Sequence, residues 1–148
     1  MVVRQLAEQE IASALELVRR VFDEFEAPGY GQEGTDEFHA CLEDDAYLSG
    51  IVYYGAFDDD LLVGVLGIRS EACHICFLFV DGAYQRLGIG TLLLERVLAD
   101  FEGRTITLNS APFGRAFYEA RGFVATEREQ RVRGIRFTPM AYRVDVVD

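Results

Sequence analysis

Lysine is absent from this chain. All 14 basic residues are arginine, set against 25 acidic ones, for a formal net charge of −11. Affinity for nucleic-acid phosphates comes from clustered positive charge, so this balance argues against a nucleic-acid partner. It allows a small anionic ligand held by local amides and one arginine, and it favours a cationic amine by steering. Long apolar runs are missing too: none approaches the ~20 residues of a membrane span. The opening MVVRQLAEQE has neither the apolar stretch nor the small-residue cleavage site of a secretory signal. No membrane partner is expected, and the cytoplasm is the expected location.

Cysteine is scarce. Cys41, Cys73 and Cys76 are odd in number, which predicts free thiols in a reducing compartment. Cys73 and Cys76 spell CxxC, but on an extended strand they point to opposite faces. No second ligand pair accompanies them, so no metal is expected. His74, between them, reads as a core or cleft-edge residue.

What is present is the composition of a globular protein: 148 residues, 50% hydrophobic and 26% charged, long enough for a single domain over residues 1–148 with its own core. Val2 to Arg4 reads as a short strand. A helix follows from Glu8, with Ile11, Leu15, Val18, Phe22 and Phe25 as its apolar stripe, and Pro28-Gly29 ends it. Ala27 to Gly34 reads as a loop, and Thr35 caps a short second helix. Ile51 to Phe57 and Leu61 to Arg69 form a hairpin about the solvated turn Asp58-Asp59-Asp60. Calcium at those aspartates would need ligands at alternating positions over a longer loop.

The run from Cys73 to Asp100 carries the clearest chemistry. Ile75 to Val80 is a short, β-branched and aromatic strand, stopped by Asp81-Gly82. Gln85-Arg86-Leu87-Gly88-Ile89-Gly90 then leads into a helix from Thr91. Glycines there let a ligand approach the backbone, and a helix N-terminus offers unpaired amides to an anion, most simply a phosphate. The loop lacks the Lys-Ser/Thr ending of a Walker motif. Its late position and missing third glycine argue against a dinucleotide fold. Beyond it, Thr105 to Leu108 reads as a strand and Asn109-Ser110-Ala111-Pro112 as a helix cap. The helix then buries Phe113, Ala116, Phe117 and Ala120, and Gly122 stops it. Phe123 to Thr126 and Met140 to Val146 are further strands, with a hairpin tip over Glu129 to Gly134.

Gln85, Gly88 and Gly90, followed by Asn109 and then by Phe117-Tyr118-Glu119-Ala120-Arg121-Gly122-Phe123, resemble the GNAT superfamily of N-acyltransferases. The first three satisfy its coenzyme A loop and the last seven its final helix; either motif alone is weak, and both in order are specific. Gly114 departs from the alanine common three positions before Phe117. The resemblance spans nearly the whole chain. It implies an α/β (α+β) fold: a mixed, mostly antiparallel central sheet of six to seven strands flanked by about four helices.

The resemblance also implies roles. The amides of Arg86, Leu87, Gly88, Ile89, Gly90 and Thr91 would hold the coenzyme pyrophosphate beside Gln85. The pantetheine would run along Leu78, Phe79 and Val80, where a backbone N–H polarises the thioester carbonyl, and Asn109 would touch the same arm. Tyr118 becomes the candidate general acid for the departing thiolate. Tyr30 and Glu33 are candidate acceptor-side residues, and Glu33, Glu71, His74 or water are candidates for the base. The implied activity is transfer of an acetyl group from acetyl-CoA to a primary amine of a small molecule or peptide, by direct attack in a ternary complex. A catalytically silent acyl-CoA-binding module is the alternative, and a homodimer through the last hairpin is compatible with either.

Overall fold

The computed structural model describes residues 1–147. The chain runs β1 (Val2–Gln5), α1 (Ile11–Phe25), α2 (Ala27–Leu42), α3 (Asp45–Leu48), β2 (Ile51–Asp58), β3 (Leu61–Arg69), β4 (His74–Val80) and α4 (Ile89–Asp100). It continues through β5 (Thr105–Ser110), α5 (Arg115–Glu119), β6 (Val124–Ala125), β7 (Gln130–Val132) and β8 (Ile135–Arg143). Short 3-10 turns precede α1, α4 and α5. The sheet order is β1-β2-β3-β4-β5-β8-β6, with β7 paired to β8. Every pairing is antiparallel except β4 with β5. The fold is the expected α+β type, but the described residues hold eight strands and five α-helices rather than six to seven and about four. β6 falls within the expected strand Phe123 to Thr126; the strand beyond those expected is β7, 3 residues at the expected hairpin tip and too short to leave an alternating pattern, and the further helix is the four-residue α3.

Each face of the sheet has its own core. On one face α4 lays Leu93, Leu94 and Val97 against Leu66, Ile68 and Ile106. On the other, α1 packs Leu17, Val18 and Phe22 onto Val65, Phe77 and Phe79. The buried stripe of α1 is Ala14, Leu17, Val18, Val21 and Phe22, so Ile11, Leu15 and Phe25 of the expected stripe lie at its flank, only partly buried.

The expected loop over residues 27–34 is helix. Pro28 lies in the first turn of α2, where its missing N–H costs nothing, and the only interruption is a kink at Gly31 with φ 73°. Packing overrides the weak local propensity: Phe38 of α2 stacks on Phe22 of α1 with ring centroids 3.9 Å apart. Thr35 does not cap; its hydroxyl donates to Gly31 O at 2.8 Å.

The element that shapes the site is β4. Opposite β3, Phe77 pairs with Gly67 and Ile75 with Ile68, so Cys76 is an extra residue on β4. Such a bulge bends a strand and increases its twist. Beyond it β4 leaves β5: the two parallel strands pair only at His74↔Thr107 and Ile75↔Leu108. The sheet therefore opens between them toward Val80 and Ser110.

Candidate active site

At the Val80 end of this opening the chain turns into α4. Gln85 Nε2 donates to Val80 O at 3.0 Å and ties the loop to the strand. Arg86 and Gly88 both adopt left-handed φ, 65° and 82°, and Leu87 is 66% exposed. Arginine accepts that conformation at a cost; glycine does so freely. The first amide of α4 with an i−4 partner is Leu92, which donates to Gly88 O at 3.0 Å. Helical geometry leaves those of Ile89, Gly90 and Thr91 pointing out of the helix end. A Cβ on Gly90 would sit 3.3 Å from the Phe117 ring, closer than ordinary contact, so the ring would have to shift.

A cation borders these amides. Arg121 donates through Nε to Thr91 Oγ1 at 3.0 Å, with a second bond from Nη2 to the same oxygen, and through Nη1 to Phe117 O at 3.0 Å. Its guanidinium lies over the Phe117 ring, 3.9 Å from the centroid. Outward amides, a helix dipole and a fixed guanidinium make an anion cradle. In the sequence Arg121 is only one member of the Phe117–Phe123 motif; its contact with Thr91 spans 30 positions and has no local signature.

At the Ser110 end lies a cavity of about 80 Å³. Phe25, Glu26, Gly29 and Tyr30 from the α1–α2 junction form one wall, Ala111, Pro112 and Phe113 after β5 the other, and Arg136 of β8 closes it. Tyr30 donates its hydroxyl proton to Arg136 O at 3.2 Å, and Arg136 is paired with Glu129 at 3.2 Å. Burial pushes Glu26 up to about 7. Nothing in the sequence distinguishes Glu26, which caps the C-terminus of a helix whose own charges face water.

Tyr118 lies on α5 between these two ends of the opening. Its half-buried ring packs edge-on against Phe117 and Phe123, with centroids 5.3 and 5.6 Å away. Among the described residues its hydroxyl has no hydrogen-bond partner. Burial first, and the charge of Glu26 second, hold the phenol well above its ordinary range, so it stays protonated. The helix carrying it is shorter than expected, five residues, and Phe113, Ala116 and Ala120 are exposed; Phe117 alone of the expected stripe faces inward. Gly114 sits at the N-cap, just before the helix, and the Tyr118 ring occupies the space beside it, 3.5 Å from where a Cβ would stand.

The remaining candidates separate. Leu78 and Val80 face the α4 core and Phe79 the α1 core, so that part of β4 is presented by its backbone edge. Asn109 is on β5, exposed, and caps nothing; Ala111 holds the cap position instead. His74 bonds Thr107 Oγ1 at 2.8 Å where β4 and β5 are still paired. It lies six residues, about 20 Å, from Val80, and burial, then Arg69, lowers its pKa. Glu71 is exposed in the turn before β4, and Glu33 is exposed on α2 outside the cavity lining.

A strand pair splayed at its C-terminal ends, an anion cradle on one side and a carboxylate-bearing cavity on the other describe a cleft for an extended ligand. Residues 26–144 match the family model of the acetyltransferase (GNAT) domain. The chain belongs to the GNAT acetyltransferase family. This GNAT chain is therefore an acyltransferase. Its fold is similar to the GCN5-related N-acetyltransferase from Rhodopseudomonas palustris, at 22% identity and TM-score 0.81, covering 96% of this chain and 94% of that one. It is also similar to YjaB from Escherichia coli, at 22% identity and TM-score 0.73, covering 99% and 100%. A third is the PaiA N-acetyltransferase from Thermoplasma acidophilum, solved with coenzyme A, at 19% identity and TM-score 0.68, covering 96% and 98%. No curated protein matches the chain in sequence. No helix among the described residues is long and apolar enough to cross a membrane.

Proposed function

We propose that this chain transfers an acetyl group from acetyl-CoA to a primary amine by direct attack in a ternary complex. The observation that carries the reading is that the β4/β5 opening joins an anion cradle to a cavity holding a carboxylate, with an unpartnered phenol between. Acetyl-CoA fits this layout by chemistry. Its pyrophosphate suits the outward amides of α4 and the Arg121 charge, and the relative from Thermoplasma acidophilum carries coenzyme A on the same fold.

Each residue then has a task. Gly88, with open space where a Cβ would stand, lets the pyrophosphate approach the backbone, Gly90 leaves room for the Phe117 ring, and Gln85 holds the loop on the strand end. The free edge of β4 beyond Ile75 offers backbone groups to the pantetheine amides as an added strand. An N–H near Val80 polarises the thioester carbonyl as negative charge builds on its oxygen. Tyr118 donates a hydrogen bond to the sulphur as the C–S bond breaks. Its raised pKa keeps the phenol protonated, and so a hydrogen-bond donor, through the step.

The test combines binding and turnover. Millimolar acetyl-CoA is expected to raise the melting temperature, as any ligand of the native state does. Adding primary amines is expected to release coenzyme A thiol. Absence of a thermal shift sinks the proposal, and a shift without turnover across an amine panel identifies a silent acyl-CoA-binding module instead.

A further inference from the structure

Acetyl transfer to an amine requires a proton acceptor. A primary ammonium, with a pKa of about 10, has no lone pair to attack with until it is deprotonated. None of Glu33, Glu71 and His74 lines the cavity at the end of β5. Glu26 does, half-buried at the bend where α1 passes into α2.

Its surroundings are those of a site that awaits a cation. Among the described residues the Glu26 side chain has no hydrogen-bond or ion-pair partner, whereas Glu10, Asp81 and Glu129 are each held by an arginine. Leaving a carboxylate unpaired in half-buried apolar surroundings is costly. The charged and titratable groups around it are Tyr30 from α2, Tyr118 from α5 and Arg136 from β8, with Glu129 behind Arg136. Tyr30 is committed to Arg136 O and Arg136 to Glu129, so neither neutralises Glu26. Phe25 and Phe113, with ring centroids 5.7 Å apart, flank the same cavity and suit an ammonium on an apolar stem.

We infer that Glu26 receives the acceptor's ammonium group in this cavity and takes its proton before attack, an inference that rests on the acetyl-transfer reading above. One N–H proton passes to the Glu26 carboxylate, and the freed nitrogen lone pair forms the bond to the thioester carbonyl carbon. The C–S bond then breaks with the sulphur hydrogen-bonded by the Tyr118 phenol, and the sulphur takes its proton from the still-protonated nitrogen. Glu26 afterwards releases its proton to solvent, so the products are the amide, coenzyme A thiol and one proton. Burial that raises Glu26 to about 7 makes it a far better base near neutrality than an ordinary carboxylate.

The first readout needs no turnover. In protein with 13C-labelled glutamate, the carboxyl signal that disappears in Glu26→Gln is expected to titrate near pH 7. Methylammonium or phenethylammonium is expected to lower that midpoint by about one unit, a tenfold preference for the charged carboxylate. A midpoint in the ordinary carboxylate range, or one that neither amine moves, overturns the inference. The second readout is the pH profile of kcat/KM with an amine that turns over. Glu26→Gln is expected to lose the rising limb near pH 7. It should fall about 100-fold or more at neutrality, and recover above the amine's own pKa. An unchanged profile also overturns the inference. Acetyl-CoA protection should be intact in the variant. Its absence in the wild type would instead defeat the acetyl-transfer reading itself.

Discussion

At the residue scale, the pKa of Glu26 is also a statement about stability. Its folded value is raised from 4.5 to about 7, so between those values the native state binds more protons than the unfolded one. Stability then falls as pH rises through that window, by at most about 3 kcal/mol from this group. Glu26→Gln removes the titration. Denaturant melts are expected to show the variant gaining on the wild type between about pH 4.5 and pH 8, and a constant gap across that range would contradict the burial of this carboxylate. Little of this was legible in the sequence. Glu26 is one of 25 acidic residues, and only the approach of Phe113 and Tyr118 from 87 and more positions away gives it its environment. Gly88 was legible because its task is local, a left-handed turn immediately before a helix, whereas the ring that crowds Gly90 comes from Phe117, far along the chain.

At the scale of elements, the proposed acceptor cavity depends on one contact between α2 and the turn that joins β7 to β8. A Cβ on Gly34 would lie 2.5 Å from Gly134 O and 2.7 Å from Tyr30 Cβ, so the two backbones meet face to face. Neither atom is the end of a flexible side chain. Gly34→Ala is expected to push the hairpin off α2, costing about 1–3 kcal/mol in a denaturant melt. Because Tyr30 and Arg136 join the same two elements, the KM for the amine should rise more than that for acetyl-CoA. Equal changes in both would argue that the hairpin does not shape the acceptor cavity. The sequence hid this contact by its glycines. Pro28, Gly29, Gly31 and Gly34 read as a loop, yet the Phe22–Phe38 stack holds them in a kinked helix. The β4–loop–α4 unit was readable in order, since a buried strand, two glycines and an apolar helix each announce themselves within a few residues. The bulge at Cys76 was not, because register appears only when β3 is paired alongside.

At the scale of the whole molecule, a net charge of −11 acts differently on the two proposed substrates. A cationic amine is drawn toward the protein and an anionic coenzyme is repelled except at the local cradle. Raising sodium chloride from about 50 to 500 mM shortens the Debye length severalfold. It is expected to lower kcat/KM for the amine and to leave unchanged or raise kcat/KM for acetyl-CoA. A parallel fall for both would place the steering charge near the cradle alone. The overall architecture was legible because the order of strands and helices suffices for it. The opening between β4 and β5 was not, being a property of two strands 30 positions apart that stop pairing after two residues.

In the proposed reaction acetyl-CoA meets the amine in this opening, with Tyr118 at the reacting sulphur. The most direct measurement is amine-dependent release of coenzyme A thiol by the wild type and by Tyr118→Phe, with acetyl-CoA affinity measured on both. Equal affinity and a kcat lower by about 100-fold in the variant are expected. A variant that binds acetyl-CoA and turns over at the wild-type rate would contradict the proposal.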